Sequence, residues 1–157
     1  MCKNIIMRIK EKSNVKIVSS EDIRNLRHAV LRKGKNFSTT SYEKDNDKHT
    51  FHLGIILKKE IISCATFYPE KTTVIESKNS YRLRGMATSS EFLRNGYGRK
   101  IMKKAFSILK SKKCDLLWCN ARLIAVPFYH SIGMKEIGKL FNISDIGPHY
   151  YMYKRIN

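Results

Sequence analysis

Arg94-Asn95-Gly96-Tyr97-Gly98-Arg99-Lys100 is the stretch on which the reading of this chain turns. It lies between an apolar, strand-like run, Tyr81 to Thr88, and an amphipathic helix, Lys100 to Lys110. A strand, a Gly-x-Gly turn and a helix in that order make a phosphate cradle. Glycine lets the main chain approach an anion closely, and the unpaired N–H groups at the helix start point toward it. Two other phosphate patterns are excluded. A Walker loop requires Gly-x-x-x-x-Gly-Lys-Ser/Thr, which the chain lacks. A dinucleotide fingerprint needs a third glycine where Ile101 stands, and an early first strand and helix; here the turn falls past mid-chain, after a hairpin.

Outward from the turn, the helix carries Ile101, Met102, Ala105, Phe106, Ile108 and Leu109 on one side. Arg99, Lys100, Lys103, Lys104 and Lys110 occupy the other, which gives it a basic face. Asp115 to Cys119 is a near-continuous apolar run, the pattern of a central strand. Ile124 to Ile132 has helical spacing, with Pro127 in the first turn and Gly133 as the stop. Lys135–Ile143 and His149–Ile156 read as the last two strands. Toward the N-terminus, Phe51–Leu57 and Ile61–Phe67 form a hairpin through Lys58-Lys59-Glu60. Val15–Val18 is a short first strand. Ser20 is the expected cap of a first helix whose stripe is Ile23, Leu26, Val30 and Leu31, with Arg24, Arg27 and His28 falling away from it. Residues 34–49 are polar and form a long loop, with or without a short helical turn, of the kind that is often functional.

The order β, α, β-β, β, α, β, α, β-β predicts an α/β (α+β mixed) fold, a mixed sheet of about six or seven strands with helices on both faces. The length of 157 residues suits one domain, residues 1–157 with a core at about 15–156, and the 42% hydrophobic content argues for a folded chain. No run approaches the roughly 18–20 apolar residues that cross a bilayer. Met1 to Arg8 is too short an apolar stretch for a signal peptide, so a cytoplasmic protein is expected. Cys2, Cys64, Cys114 and Cys119 form no Cys-x-x-Cys pair and read as free thiols. Neither these nor the histidines have metal-ligand spacing, so no metal is expected. The net charge of +18, from 31 Lys+Arg against 13 Asp+Glu, fits an anionic ligand or partner, or else a lysine- and asparagine-rich proteome.

Three elements together carry a resemblance. Tyr81-Arg82-Leu83-Arg84-Gly85-Met86-Ala87-Thr88, then Gly96-Tyr97-Gly98, then Asn120-Ala121-Arg122-Leu123-Ile124-Ala125-Val126-Pro127-Phe128-Tyr129 followed by Gly133-Met134, resemble the GNAT acetyltransferase superfamily. The likeness covers roughly residues 15–156 and is strongest from 81 to 134. Ile146-Gly147-Pro148-His149 resembles a bacterial subgroup with no assigned substrate. The family's pyrophosphate motif is Gln/Arg-x-x-Gly-x-Gly/Ala. Its first position falls here on Leu93, a departure, with Arg94 one residue on.

The resemblance implies that Met86, Ala87 and Thr88 pair their main chain with the pantetheine arm of acetyl-CoA. Backbone amides from Arg94, Asn95, Gly96, Tyr97, Gly98 and Arg99 would hold its pyrophosphate. Asn120 and Tyr129 match positions near the arm and the sulfur. The chemistry agrees, because amine attack on a thioester needs a proton for the departing thiolate, and a tyrosine hydroxyl beside the sulfur supplies it. Tyr129 is therefore the expected general acid. His52, Glu76 and His149 are the candidate bases or substrate contacts, and histidine has a suitable ordinary pKa near 6.5. The expected acceptor is a primary amine of a small molecule or peptide, and the final strands offer an edge for a homodimer. The alternative is a catalytically inactive module of the same fold that binds an anionic partner such as RNA. Against nucleic acid, the chain lacks interleaved aromatic and basic residues for base stacking.

Overall fold

The computed structural model describes residues 13–157, so the expectations for Cys2 and for a leader at Met1–Arg8 lie outside the described residues. The elements run β1 (Val15–Val18), α1 (Arg24–Leu31), a 3-10 turn (Phe37–Thr40), β2 (Phe51–Leu57), β3 (Glu60–Pro69) and β4 (Ser80–Thr88). There follow α2 (Tyr97–Ser111), β5 (Leu116–Arg122), α3 (Val126–Ser131), β6 (Lys135–Ile143) and β7 (Gly147–Arg155). Seven strands among the described residues pair in the order β1-β2-β3-β4-β5-β7-β6. The sheet is mixed, with β1–β2, β5–β7 and β6–β7 antiparallel and β4–β5 parallel. The expected mixed α/β architecture is the one found.

The chain divides into two compact units. One runs up to Thr66 and includes Gly85–Lys104; the other is Phe67–Arg84 with Ala105–Asn157. In the first, Ile23, Leu26, Cys64 and Ala87 form a buried cluster, with Val18, Val30, Leu31 and Ile61 packed on it. The β2–β3 hairpin turns through Lys58 and Lys59, both left-handed (φ 48° and 69°), the backbone of a two-residue turn that matches strand twist. In the second, Leu116, Leu117, Trp118 and Cys119 are all buried, as a central strand requires. The Asp115 carboxylate accepts from the N–H groups of Lys78 (2.7 Å) and Asn79 (3.0 Å) and so fixes the approach to β4.

Four expectations are corrected. Ser20 does not cap α1; its hydroxyl donates to Asn46 Oδ1 (2.9 Å). The cap-like exchange is one residue earlier, where Ser19 N–H donates to Asp22 Oδ2 (2.9 Å) and Asp22 N–H to Ser19 Oγ (3.2 Å). Arg27 does not leave the buried stripe but is 0% exposed. It lies one helical turn after Ile23 and one before Leu31, so geometry puts it inward whatever its charge. Helix α2 begins at Tyr97, within the Gly-x-Gly turn rather than after it. Strand β5 extends to Arg122, which places Asn120 inside the sheet.

Candidate active site

The cradle is built in the first unit. β4 ends at Thr88, whose hydroxyl bonds that of Ser63 (2.8 Å), and Ser89 N–H then donates to Ile62 O (2.8 Å). Met86 and Thr88 are half-buried, and Ala87 is buried in the cluster with Ile23 and Leu26. The turn is left-handed at Arg94 (φ 60°) and again at Gly96 (φ 81°). Asn95 holds it by donating Nδ2–H to Leu93 O (3.0 Å), and the Leu93 side chain points largely to solvent. Tyr97 is buried with its ring edge-on to Phe92, so its side chain anchors the turn and only its amide faces outward chemistry.

The ladder of α2 opens with Lys100 N–H donating to Gly96 O (3.1 Å), so the amides of Tyr97 and Gly98 precede it. Among the described residues no atom lies within 4 Å of where a Cβ on Gly96 would stand, so none of them fills the space over the turn. That space, the left-handed backbone and the helix-start amides fit an anion such as the pyrophosphate of acetyl-CoA. Arg99 is exposed on the first turn of the helix.

The other candidates lie in the second unit. Asn120 pairs with Tyr151 in the β5–β7 ladder, and Arg122 pairs with His149 two residues on. Tyr129, on α3, is buried with its ring against Phe128. Burial pushes its phenol well above the usual pKa, Cys119 adds to this, and Arg122 opposes it. His149 is buried, stacks on Phe141, and donates Nδ1–H to Gly147 O (2.7 Å). That bond fixes the tautomer and leaves Nε2 as the site for a proton. Arg122 thus stands two residues along β5 from Asn120 and opposite His149 in the ladder, and its charge acts on Tyr129. Glu76 lies on the exposed loop between β3 and β4. His52 belongs to the first unit and is buried, with both ring nitrogens engaged: Nε2 with Asp45 O (2.8 Å) and Nδ1 with Thr66 Oγ1 (2.7 Å). It has no free nitrogen for an amine proton. Among the described residues no three His, Cys, Asp or Glu side chains converge as a metal site.

A model of the acetyltransferase (GNAT) family matches residues 20–134. The chain belongs to the GNAT family. An uncharacterised N-acetyltransferase of Bacillus subtilis, YitI, is 35% identical over 142 residues, spanning 90% of this chain and 95% of that protein. Two solved structures share the fold. A Lactobacillus plantarum protein assigned as an N-acetyltransferase superposes with a TM-score of 0.74 at 18% identity, over 92% of this chain and 99% of its own. An aminoglycoside 6'-N-acetyltransferase complexed with coenzyme A gives 0.72 at 11% identity, over 91% and 97%. As a GNAT enzyme the protein is an N-acetyltransferase with acetyl-CoA as cosubstrate. No helix of the described residues is long and apolar enough to cross a membrane.

Reading residues one at a time missed the polar interior of this GNAT chain. The Arg27 guanidinium forks onto Asp45, Nη1 to Oδ2 at 2.6 Å and Nη2 to Oδ1 at 2.9 Å. It also donates to Thr40 O (2.8 Å) and Thr66 Oγ1 (2.7 Å), and lies 3.9 Å from the centre of the Tyr42 ring. Burial works to raise the Asp45 pKa, but hydrogen bonds from Arg27 and Tyr42 N–H, together with the Arg27 charge, hold it below the ordinary carboxylate range. Burial also lowers the His52 pKa, in spite of its bond to Asp45 O and the Asp45 charge. The signal available in the sequence was the position of Arg27, on the stripe by spacing and off it only by polarity.

Proposed function

We propose that this enzyme transfers the acetyl group of acetyl-CoA directly to a primary amine of a small molecule or peptide. The observation that carries this reading is the turn after β4, left-handed at Arg94 and Gly96 and followed by helix-start amides beneath space that none of the described residues fills. Bound there, acetyl-CoA supplies the thioester acyl group and leaves as the free thiol. The main chain of Met86–Thr88 holds the arm, and amides from Arg94 to Arg99 hold the pyrophosphate. This work falls to backbone N–H groups, so a leucine at position 93 is compatible with it.

His149 is the base of choice among the three candidates, because the carbonyl of Gly147 holds Nδ1–H and leaves Nε2 to take the amine proton. The amine nitrogen forms its bond to the acyl carbon as the carbon–sulfur bond breaks, and Tyr129 gives its hydroxyl proton to the departing sulfur. A phenol kept protonated by burial suits donation rather than proton removal. Asn120 is assigned to the cosubstrate's arm. We take the chain as one acetyltransferase domain, supported by a family match that runs through both units. The free thiols Cys64, Cys114 and Cys119 favour the cytoplasm as its compartment. Edge strand β6 is the surface assigned to homodimer pairing.

The test is calorimetric titration of acetyl-CoA into the protein, with Gly96→Glu alongside. The expected outcome is binding by the parent and its loss in the variant, where the new carboxylate projects into the anion's space from a strained left-handed backbone. A primary-amine panel with free-thiol readout then identifies the acceptor. A folded parent that fails to bind acetyl-CoA sinks the reading.

A further inference from the structure

The buried arginine of α1 reaches the strand assigned to acetyl-CoA. β4 is extended except at Gly85, where φ is +61°, immediately before Met86. A Cβ there would stand 2.9 Å from Arg27 Nε and 3.0 Å from Tyr42 Cε2, so Arg27 and Tyr42 together fill the room that a side chain would take. Cys64 Sγ–H reaches Gly85 O at 3.6 Å on the neighbouring strand. The bend is therefore held from the helix side by Arg27 and from the β3 side by Cys64, while Ser63 and Ile62 hold the end of the strand at Thr88 and Ser89.

The group that holds Arg27 is a closed ring of hydrogen bonds whose donors can be assigned. Asp45 O only accepts, so His52 Nε2 carries the proton, and in the neutral ring Nδ1 accepts. The Thr66 hydroxyl must then donate to His52 Nδ1 while accepting from Arg27 Nη2. Arg27 returns the circuit to the Asp45 carboxylate. Each member fixes the next, and Thr66 Oγ1 is the single atom that joins the guanidinium to the imidazole.

We infer that the Arg27–Asp45–His52–Thr66 circuit is a positioning device for the cosubstrate. It locks the bend at Gly85 and so sets the direction in which the main chain of Met86–Thr88 presents itself to the acetyl-CoA arm. This rests on the assignment of that segment to the arm under the proposed function. The four side chains touch no reacting atom and act through β4.

Thr66 supplies the cleanest test, because Thr66→Val keeps the shape and removes the hydroxyl, while Thr66→Ser keeps the hydroxyl. Acetyl-CoA affinity is read by calorimetry well below each variant's melting temperature, and amide hydrogen exchange is followed at Met86–Thr88 and along α2. Thr66→Val is expected to weaken binding about five-fold or more, the scale of one lost buried hydrogen bond. Exchange at Met86–Thr88 is expected to quicken while α2 is unchanged, with Thr66→Ser within about two-fold of the parent. A folded Thr66→Val protein with parental affinity and parental exchange at Met86–Thr88 overturns the inference, as does serine failing to restore both. If Thr66→Val does not fold, Asp45→Asn is read by the same pair of measurements. Should the parent not bind acetyl-CoA, the functional reading fails, and the exchange comparison alone still decides whether the circuit holds the strand.

Discussion

Arg27 in one unit and Arg82 in the other are assembled from the same parts. Arg27 lies 3.9 Å from the ring centre of Tyr42 and pairs with Asp45 at 2.6 Å; Arg82 lies 4.8 Å from that of Trp118 and pairs with Glu70 at 2.9 Å. Each leaves a buried Nε without a hydrogen-bond partner among the described residues. They differ in contact with water. The side chains of the first pair are 0% and 2% exposed, those of the second 20% and 24%. Charges withdrawn from solvent must be compensated from within the protein, and Asp45 accordingly collects Tyr42 N–H while Arg27 collects Thr40 O and Thr66. Charges at the edge of solvent can lose a partner and recover water.

The sharpest way to break this contrast is to remove one carboxylate from the buried pair. Asp45→Ala leaves Arg27 charged and uncompensated, and should cost about 3–5 kcal/mol in urea unfolding. A loss below about 1 kcal/mol would show that water reaches Arg27 and would remove the distinction between the two pairs.

The bend in β4 gives the next largest effect. Gly85→Ala adds a methyl to a left-handed residue and drives it against Arg27 and Tyr42, for an expected loss of about 2 kcal/mol or more. Gly96→Ala meets the same backbone penalty where no described residue stands in the way, so about 1 kcal/mol is expected. Equal losses at the two glycines would mean that Arg27 gives way readily and does not brace the strand.

The contrast also marks what sequence can carry. The spans of β1, β2 and β6 follow from apolar runs and punctuation and match the structure residue for residue. The strand, turn and helix around Gly96 were legible because they are contiguous in the chain. The circuit was not, since Arg27 meets Asp45 across 18 positions and Thr66 across 39, and only folding brings them together. Polarity then misled once. It placed Arg27 outside, whereas His52 is a candidate base by its ordinary pKa, and the sequence holds no sign that both its nitrogens are engaged in the interior. Neither the left-handed backbone at Arg94 nor the start of α2 at Tyr97 has a residue-level signal, because both are settled by how the turn closes onto Phe92 and Tyr97.

A smaller effect follows from proton linkage. The folded His52 pKa lies below its ordinary 6.5, so the unfolded chain takes up this proton first. The stability it contributes is complete above pH 6.5 and is lost as pH falls toward the lowered value. The same sign holds for Asp45 in a separate, more acidic window, below its ordinary 3.8. The melting temperature of the parent should therefore begin to fall as pH drops past 6.5, and that of His52→Gln should not. Parallel curves for the two proteins across that range would assign the acid loss to other groups.

The smallest effect belongs to the half-buried pair, Arg82 and Glu70. Glu70→Ala removes the carboxylate from Arg82 but leaves the Glu70 carbonyl, which accepts from Trp118 Nε1 at 3.0 Å, and leaves the guanidinium over the indole. Water solvates what the carboxylate held, so a loss of about 1 kcal/mol or less is expected. Because the Debye length shrinks from about 10 Å at 0.1 M salt to about 3 Å at 1 M, this small loss should shrink further when unfolding is measured in high salt. The cost of Asp45→Ala should stay the same, because ions do not enter the interior where Arg27 lies. A Glu70→Ala cost that is large and indifferent to salt would make Arg82 a second buried charge, and the unsatisfied Nε of both arginines would then be one phenomenon rather than two.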